Sequence, residues 1–314
     1  MTQAAVNVIA GADRRVLRNA GPPASGTSGT FVDKCVAGDL LMDTTNLVLY
    51  VNEGTSASPY WTPVSFDQRN LLAYWSDFKD EVGKAIADTG ATVVLAGSGL
   101  RVFGLGITET DSGLTVAQVA EVGPVASLIA TNEDGKLAAL GIGTTVLLMQ
   151  PDVNGPLVVE AEISMNSALT LRAMFIGFVG GVADAMTPRV TGATVTLTLV
   201  DDDLAGLLMD ARLTDAAGLM AAHNKSNEAA TLAVSATGVD TGSDMPAAGT
   251  YTRLRVEISA AGLMTCFKDK VQIASIAASL DADEEVAPVL YIEATEANTK
   301  QMDLKRFATW ATRP

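Results

Sequence analysis

Histidine is nearly missing from this chain of 314 residues, where His223 is the single example. With the commonest general base and metal ligand so scarce, Ser-His-Asp, Cys-His and multi-histidine zinc arrangements are hard to build. Cysteine is equally thin. Cys35 and Cys266 lie far apart, carry no metal or redox motif, and are expected as free thiols packed like small apolar groups. Basic residues are outnumbered, 21 against 36 acidic ones, for a formal net charge of −15. That balance opposes the wrapping of a phosphate backbone, so no nucleic-acid partner is expected. Although 48% of residues are hydrophobic and 18% charged, no uninterrupted apolar run approaches the ~20 residues of a membrane helix, and no membrane partner is expected. Aromatics, at 5%, suit small-residue β-layers better than an aromatic ligand pocket. The start, Met1-Thr2-Gln3-Ala4-Ala5, has neither the basic nor the apolar region of a secretory signal, so synthesis in a cytoplasm is expected. These shortages together predict a protein that is not an enzyme and needs no cofactor.

What is present reads mainly as β. Residues 1 to about 35 carry Gly11, Gly21-Pro22-Pro23 and Gly26-Thr-Ser-Gly29, the composition of an extended arm. Two short apolar runs, Leu40-Leu-Met42 and Leu47-Val-Leu-Tyr-Val51, joined through Thr44-Thr45-Asn46, predict a β-hairpin ending near Trp61. From Ser65 the period changes: Leu71, Trp75, Phe78, Val82 and Ile86 recur at helical spacing, with a capping-box start at Ser65 and Gln68 and a stop at Gly90. The stripe predicts one short amphipathic helix over 65–90. It packs either on its own domain or, through Leu71, Trp75, Phe78 and Val82, in a helical bundle at an oligomer axis. Short glycine-punctuated runs over 91–144 read as a β-rich connector or as the first strands of the next domain. Beyond 145 the alternation is clear. Leu157, Val159, Ala161, Ile163 and Met165 are apolar while Glu160, Glu162 and Ser164 fall on the other face, and Leu254, Val256 and Ile258 alternate with Arg253, Arg255 and Glu257. Many short antiparallel strands with turns about every ten residues predict a sandwich or jelly roll over 145–314, following an attachment region over 1–64.

The segment Gly38-Asp-Leu-Leu-Met-Asp-Thr-Thr-Asn-Leu-Val-Leu-Tyr-Val-Asn-Glu-Gly-Thr55, followed by Ser58-Pro-Tyr-Trp61, resembles a hairpin that recurs in tailed-phage virion and tail-fibre proteins. It departs from that pattern at Leu47, where glycine is common. The C-terminal part, with Phe175-Ile-Gly-Phe178 ahead of Asp201-Asp-Asp-Leu-Ala-Gly-Leu-Leu-Met-Asp210, is similar to the concanavalin-like jelly rolls of phage head and fibre proteins. The resemblance implies a virion structural protein of the capsid decoration, cement or head-fibre type. It would be located in the virion and would act through contacts with the major capsid protein or other virion proteins, and with itself as a homo-oligomer, a trimer by family habit. The alternative is a tail-fibre or spike adhesin whose jelly roll binds host glycans, which calls for exposed Trp or Tyr platforms.

Few residues stand out as sites. Asp201, Asp202 and Asp203 are calcium candidates, since lectin-like jelly rolls hold calcium with loop carboxylates, against the simpler reading of a solvated turn. Asp281, Asp283, Glu284 and Glu285 read as a solvated loop. His223, beside Asn224 and Lys225, reads as an isolated surface or inter-strand histidine. Glu160 and Glu162 share a strand face, which alternation explains without a catalytic role. Ser98 lacks the nucleophile-elbow spacing, and Gly104-Leu-Gly106 lacks the setting of a dinucleotide site.

Overall fold

The structure is a computed structural model that describes residues 16–64, 71–78, 84–85, 93–94, 98–104, 113–119, 123–130, 135–142, 148–165, 172–180, 186–200, 203–225, 231–233, 238–295 and 300–312. Alternating apolar residues build two large antiparallel sheets that face each other. The first has the order β22 (Val271–Ile276), β21 (Met264–Lys268), β20 (Thr252–Ile258), β12 (Leu157–Met165), β24 (Lys300–Thr312), β10 (Gly123–Ala130), β9 (Gly113–Val119) and β6 (Lys84–Ala85), with β5 (Leu71–Ser76) also paired to β24. The second runs β19 (Gly238–Asp244), β17 (Gly218–Asn224), β16 (Leu204–Asp210), β13 (Arg172–Val179), β23 (Ala287–Ala294), β11 (Lys136–Gly141), β8 (Arg101–Phe103) and β7 (Val93–Val94). Their inner faces make one core. Leu157, Val159, Ala161 and Ile163 of β12 and Leu254, Val256 and Ile258 of β20 meet Met174, Ile176 and Phe178 of β13 and Leu290 and Ile292 of β23. This is the jelly-roll sandwich that the alternation predicts. The stretch 91–144 is woven into it, since β10 pairs with β24 and β11 with β23.

The predicted helix over 65–90 is a correction. Leu71–Ser76 is a strand, paired residue for residue with Phe307–Thr312. Leu72 and Tyr74 pack on the sandwich core while Ala73 joins a second cluster on the opposite face, so the period is two. Phe78, at φ 60°, ends the strand with its ring fully buried in the sandwich core. The helical spacing of Leu71, Trp75 and Phe78 arises from a strand followed by a kink, and burial of Phe78 removes it as an oligomer contact. Trp75 is 47% exposed. Val82 and the helix-capping positions Ser65, Gln68 and Gly90 lie outside the described residues.

Each outer face of the sandwich carries a smaller sheet. On the second large sheet lies β14 (Val190–Ala193), β15 (Thr196–Leu199) and β18 (Thr231–Ala233), over Phe175, Met220 and Tyr291. On the first lies a four-stranded module of β1 (Val16–Asn19), β2 (Leu40–Asp43), β3 (Val48–Asn52) and β4 (Trp61–Pro63). The predicted hairpin is β2 and β3, in the register Leu41↔Tyr50 and Asp43↔Val48. Its signature residues are spent on turn chemistry. The buried Asp43 carboxylate accepts hydrogen bonds from the backbone N–H of Gly21, Thr45 and Asn46 and from the Asn46 side chain. Asn52 Oδ1 accepts from the N–H of Gly54 and Tyr60, and Asp39 accepts from Val36 N–H.

Leu47, where glycine is common in the phage hairpin pattern, sits at φ 57° and is 73% exposed. A branched side chain gains nothing there and bears the left-handed penalty, which glycine avoids. Leu47→Gly is expected to stabilise the protein by about 1 kcal/mol, read as a higher denaturant midpoint at unchanged slope.

Candidate functional site

The densest chemistry lies where the module meets the outer face of the first large sheet. Val158, Glu160 and Glu162 of β12 and Arg253, Arg255 and Glu257 of β20 project to that face, because their neighbours in sequence fill the sandwich core. Instead of water, Glu160, Arg255 and Glu257 meet the module: all three are buried, together with Tyr60 and Trp61. Arg255 Nη2 donates to the Trp61 carbonyl at 2.9 Å and forms an ion pair with Glu257, while Nη1 lies 3.9 Å from Glu160 Oε2. Its guanidinium carbon stands 4.2 Å from the Tyr60 ring centre and 4.9 Å from that of Trp310, so the cation is held between two rings. The Tyr60 hydroxyl donates to Glu160, and Arg306 Nη1 reaches the other oxygen of Glu160 at 3.5 Å. Ser25 Oγ accepts from Trp61 N–H at 3.0 Å, and Trp61 Nε1 donates to the Thr30 carbonyl. Two carboxylates thus face two guanidinium groups, and the cluster is neutral.

Burial works against the charge on Arg255, but Glu257, Tyr60 and Glu160 more than offset it and hold the guanidinium above its ordinary value. Burial raises the Glu257 carboxyl, opposed by Arg255 and by hydrogen bonds from Ser25. Folding therefore makes Glu257 bind a proton more readily. Its contribution is fully present below the unfolded value of about 4.5 and is lost as pH rises through the higher folded value. Glu257→Gln should remove that limb: between pH 4.5 and 7 the variant's stability is expected to fall less steeply than that of the parent, measured by denaturant titration at each pH. Parallel curves would contradict it.

Around this cluster runs a rim of surface ion pairs, Arg253 to Glu53 at 3.4 Å and to Glu162 at 3.6 Å, and Lys270 to Glu53 at 3.4 Å. Such exposed pairs contribute little energy. A second buried cluster sits under the small sheet on the other face. There Arg212 binds Asp210 (2.7 Å) and Glu293 (2.9 Å), both carboxylates fully buried, and Asp210 also accepts from Gly192 N–H at 2.6 Å.

The predicted site residues fall elsewhere. Asp201 and Asp202 lie outside the described residues. Asp203 uses its carbonyl to accept from Gly180 N–H at 2.7 Å. Among the described residues no group of three His, Cys, Asp or Glu side chains is placed to hold a metal. His223 is a half-buried strand residue opposite Ala205. Cys35 and Cys266 are buried and not joined in a disulfide, and burial pushes the Cys266 thiol far above its ordinary range. Of the tryptophans that a glycan platform would need, Trp61 and Trp310 are buried against each other's surroundings.

Sequence reasoning placed Glu160, Arg253, Arg255 and Glu257 on a polar strand face and missed what covers it. The available signal was the opposite charge directly across the strand pair, Glu160↔Arg255 and Glu162↔Arg253.

No protein-family model and no curated protein matches the chain. Among solved structures it is similar to a protein of unknown function, SO2946, from Shewanella oneidensis MR-1, at 12% identity over 78% of this chain and 87% of that one, TM-score 0.49. The Emp47p carbohydrate recognition domain is similar at 10% identity over 80% and 100%, TM-score 0.44. A glycoside hydrolase family 16 endo-glucanase from Bacteroides ovatus is similar at 10% identity over 78% and 97%, TM-score 0.40. The expectation of a protein that is not an enzyme is corrected here, because glycoside hydrolases are among these structures. Scarcity of histidine excludes the chemistries that need it, whereas glycoside hydrolysis runs on carboxylates.

Proposed function

We propose that the chain is a structural protein of a tailed-phage particle, in which the jelly roll is displayed and the N-terminal module contacts capsid subunits or neighbouring protomers. The observation that carries this reading is the state of the phage-like segment Gly38–Trp61. Asp39, Asp43 and Asn52 hold its shape through internal hydrogen bonds, and Tyr60 and Trp61 fasten it to the jelly roll. A segment built this way is a rigid mount whose remaining surface is open for contact. That surface carries Val36, Leu47 and Val64 exposed, and association would bury them. A homotrimer fits such repetition of one contact around a closed axis.

The attachment contact differs from the one that composition suggests. One face of the module is already occupied by its own jelly roll, so contact with the particle would use the opposite face and the segment before Val16. Cryo-electron microscopy of the intact particle tests the reading: density for this chain on the capsid surface, with the module inward, is expected. Density on the tail, or none, would overturn it, as would a stable monomer at micromolar concentration for the trimer.

A further inference from the structure

Where the loop Ala24–Ser28 crosses the end of the first large sheet, the two enclose a cavity of about 160 Å³. One wall is Ser25 and Thr27 from the loop. The other is Glu257 and Ser259 at the end of β20, Thr265 of β21 and Gln272 of β22. Gly26, at φ 98°, lets the loop backbone come so close to β22 that a Cβ would lie 2.2 Å from Gln272 Oε1. That approach brings Thr27 N–H to the same oxygen at 2.7 Å. The cavity is thus a built feature of the joint, with its loop wall pinned.

Its lining selects a ligand by chemistry. An apolar guest would strip water from hydroxyls without replacing their hydrogen bonds. Anions meet a carboxylate and no cation on the wall. A hard cation needs six to eight oxygens with several carboxylates, and the one present, Glu257, is already paired with Arg255. What remains is a neutral molecule rich in hydroxyls, which can exchange hydrogen bonds with the hydroxyls of Thr265 and Ser275 and rest its carbon face on Pro156 and Leu263. Because Gln272 Oε1 is taken by Thr27, the amide nitrogen is the end left to donate. The volume equals roughly five waters at about 30 Å³ each, the bulk of one sugar ring or a short polyol. We propose that this joint cavity is a binding site for a single neutral sugar residue or polyol. It is formed by the N-terminal loop against the outer face of the jelly roll, and it does not depend on where in a particle the chain resides.

The test is saturation-transfer NMR on the full chain with glucose, galactose, N-acetylglucosamine and glycerol as probes. At least one is expected to show transfer, with millimolar affinity. Ser275, exposed at the mouth of the cavity, permits a plug: Ser275→Trp should reduce binding more than tenfold with the melting temperature unchanged. Gln272→Glu, which keeps the oxygen that Thr27 binds and removes the amide donor, should also reduce binding and serves where the plug disturbs folding. Absence of transfer from all four probes overturns the proposal. So does transfer that survives both substitutions, since the probe would then be bound elsewhere.

Discussion

Replacing Arg255 by methionine is expected to cost about 3–5 kcal/mol, the range seen when one partner of a buried ion cluster is removed. Methionine keeps most of the volume, so the loss reads the charge rather than a hole. Glu160 and Glu257 would remain buried beside each other with only Arg306, 3.5 Å from Glu160, to offset them. The Trp61 carbonyl would lose its 2.9 Å donor as well. Because the cluster is the joint between module and jelly roll, the damage should be directional. Limited proteolysis is expected to degrade the module of the variant before the sandwich is attacked. Adding Glu257→Leu should recover part of the loss, since an apolar pair removes the stranded charge. A single variant within about 1 kcal/mol of the parent would show that water reaches these carboxylates, and would remove the cluster as the fastening.

Arg212→Ala is the second large effect, also about 3–5 kcal/mol, on the opposite face. Arg212 forks onto two carboxylates, with Nε and Nη2 on Asp210 and Nη1 and Nη2 on Glu293, all within 3.2 Å. Both acids flank Ala173 in neighbouring strands, in the registers Ala173↔Asp210 and Ala173↔Glu293. Without the guanidinium they are two buried negative charges one strand apart on either side of β13. Arg212→Lys should retain less than half of the stability that alanine loses, because a point charge cannot serve two carboxylates with parallel hydrogen bonds. Chemical denaturation separates the three proteins. Equal stability of the lysine variant and the parent would mean that charge alone suffices there.

The strands at 157–165 and 254–258 were legible because one face fills the core and the other is polar, which period two displays directly. The same pattern hid the joint. Alternation says that Glu160 and Arg255 leave the core, but whether water or the Tyr60–Trp61 corner receives them is decided by a segment far away in sequence. The helical stripe failed for a related reason. Leu71, Trp75 and Phe78 satisfy helical spacing locally, and the partner that makes Leu71–Ser76 a strand is Phe307–Thr312, which no local window contains. Tertiary pairing overrode a period read over two turns. The phage-like hairpin was legible as a shape, down to the position where leucine replaces glycine, because turn chemistry is local. Its fastening to the jelly roll through Arg255 was not, since that depends on a strand some 200 residues later, as the Arg255 to Trp61 hydrogen bond spans 194 positions.

The strand Lys300–Thr312 has β12 along one side and β10 and β5 end to end along the other. A ribosome therefore delivers every neighbour of this strand before the strand itself. At about 5–20 residues per second, the edges of β5, β10 and β12 wait on the order of ten seconds or more for their partner. During that time the nascent chain exposes backbone donors and acceptors and the apolar residues meant for the core, in a form prone to pairing with another chain. Production of this protein should be governed by how quickly and at what temperature translation proceeds. Slow, crowded synthesis is expected to yield aggregates from a sequence whose finished form is stable.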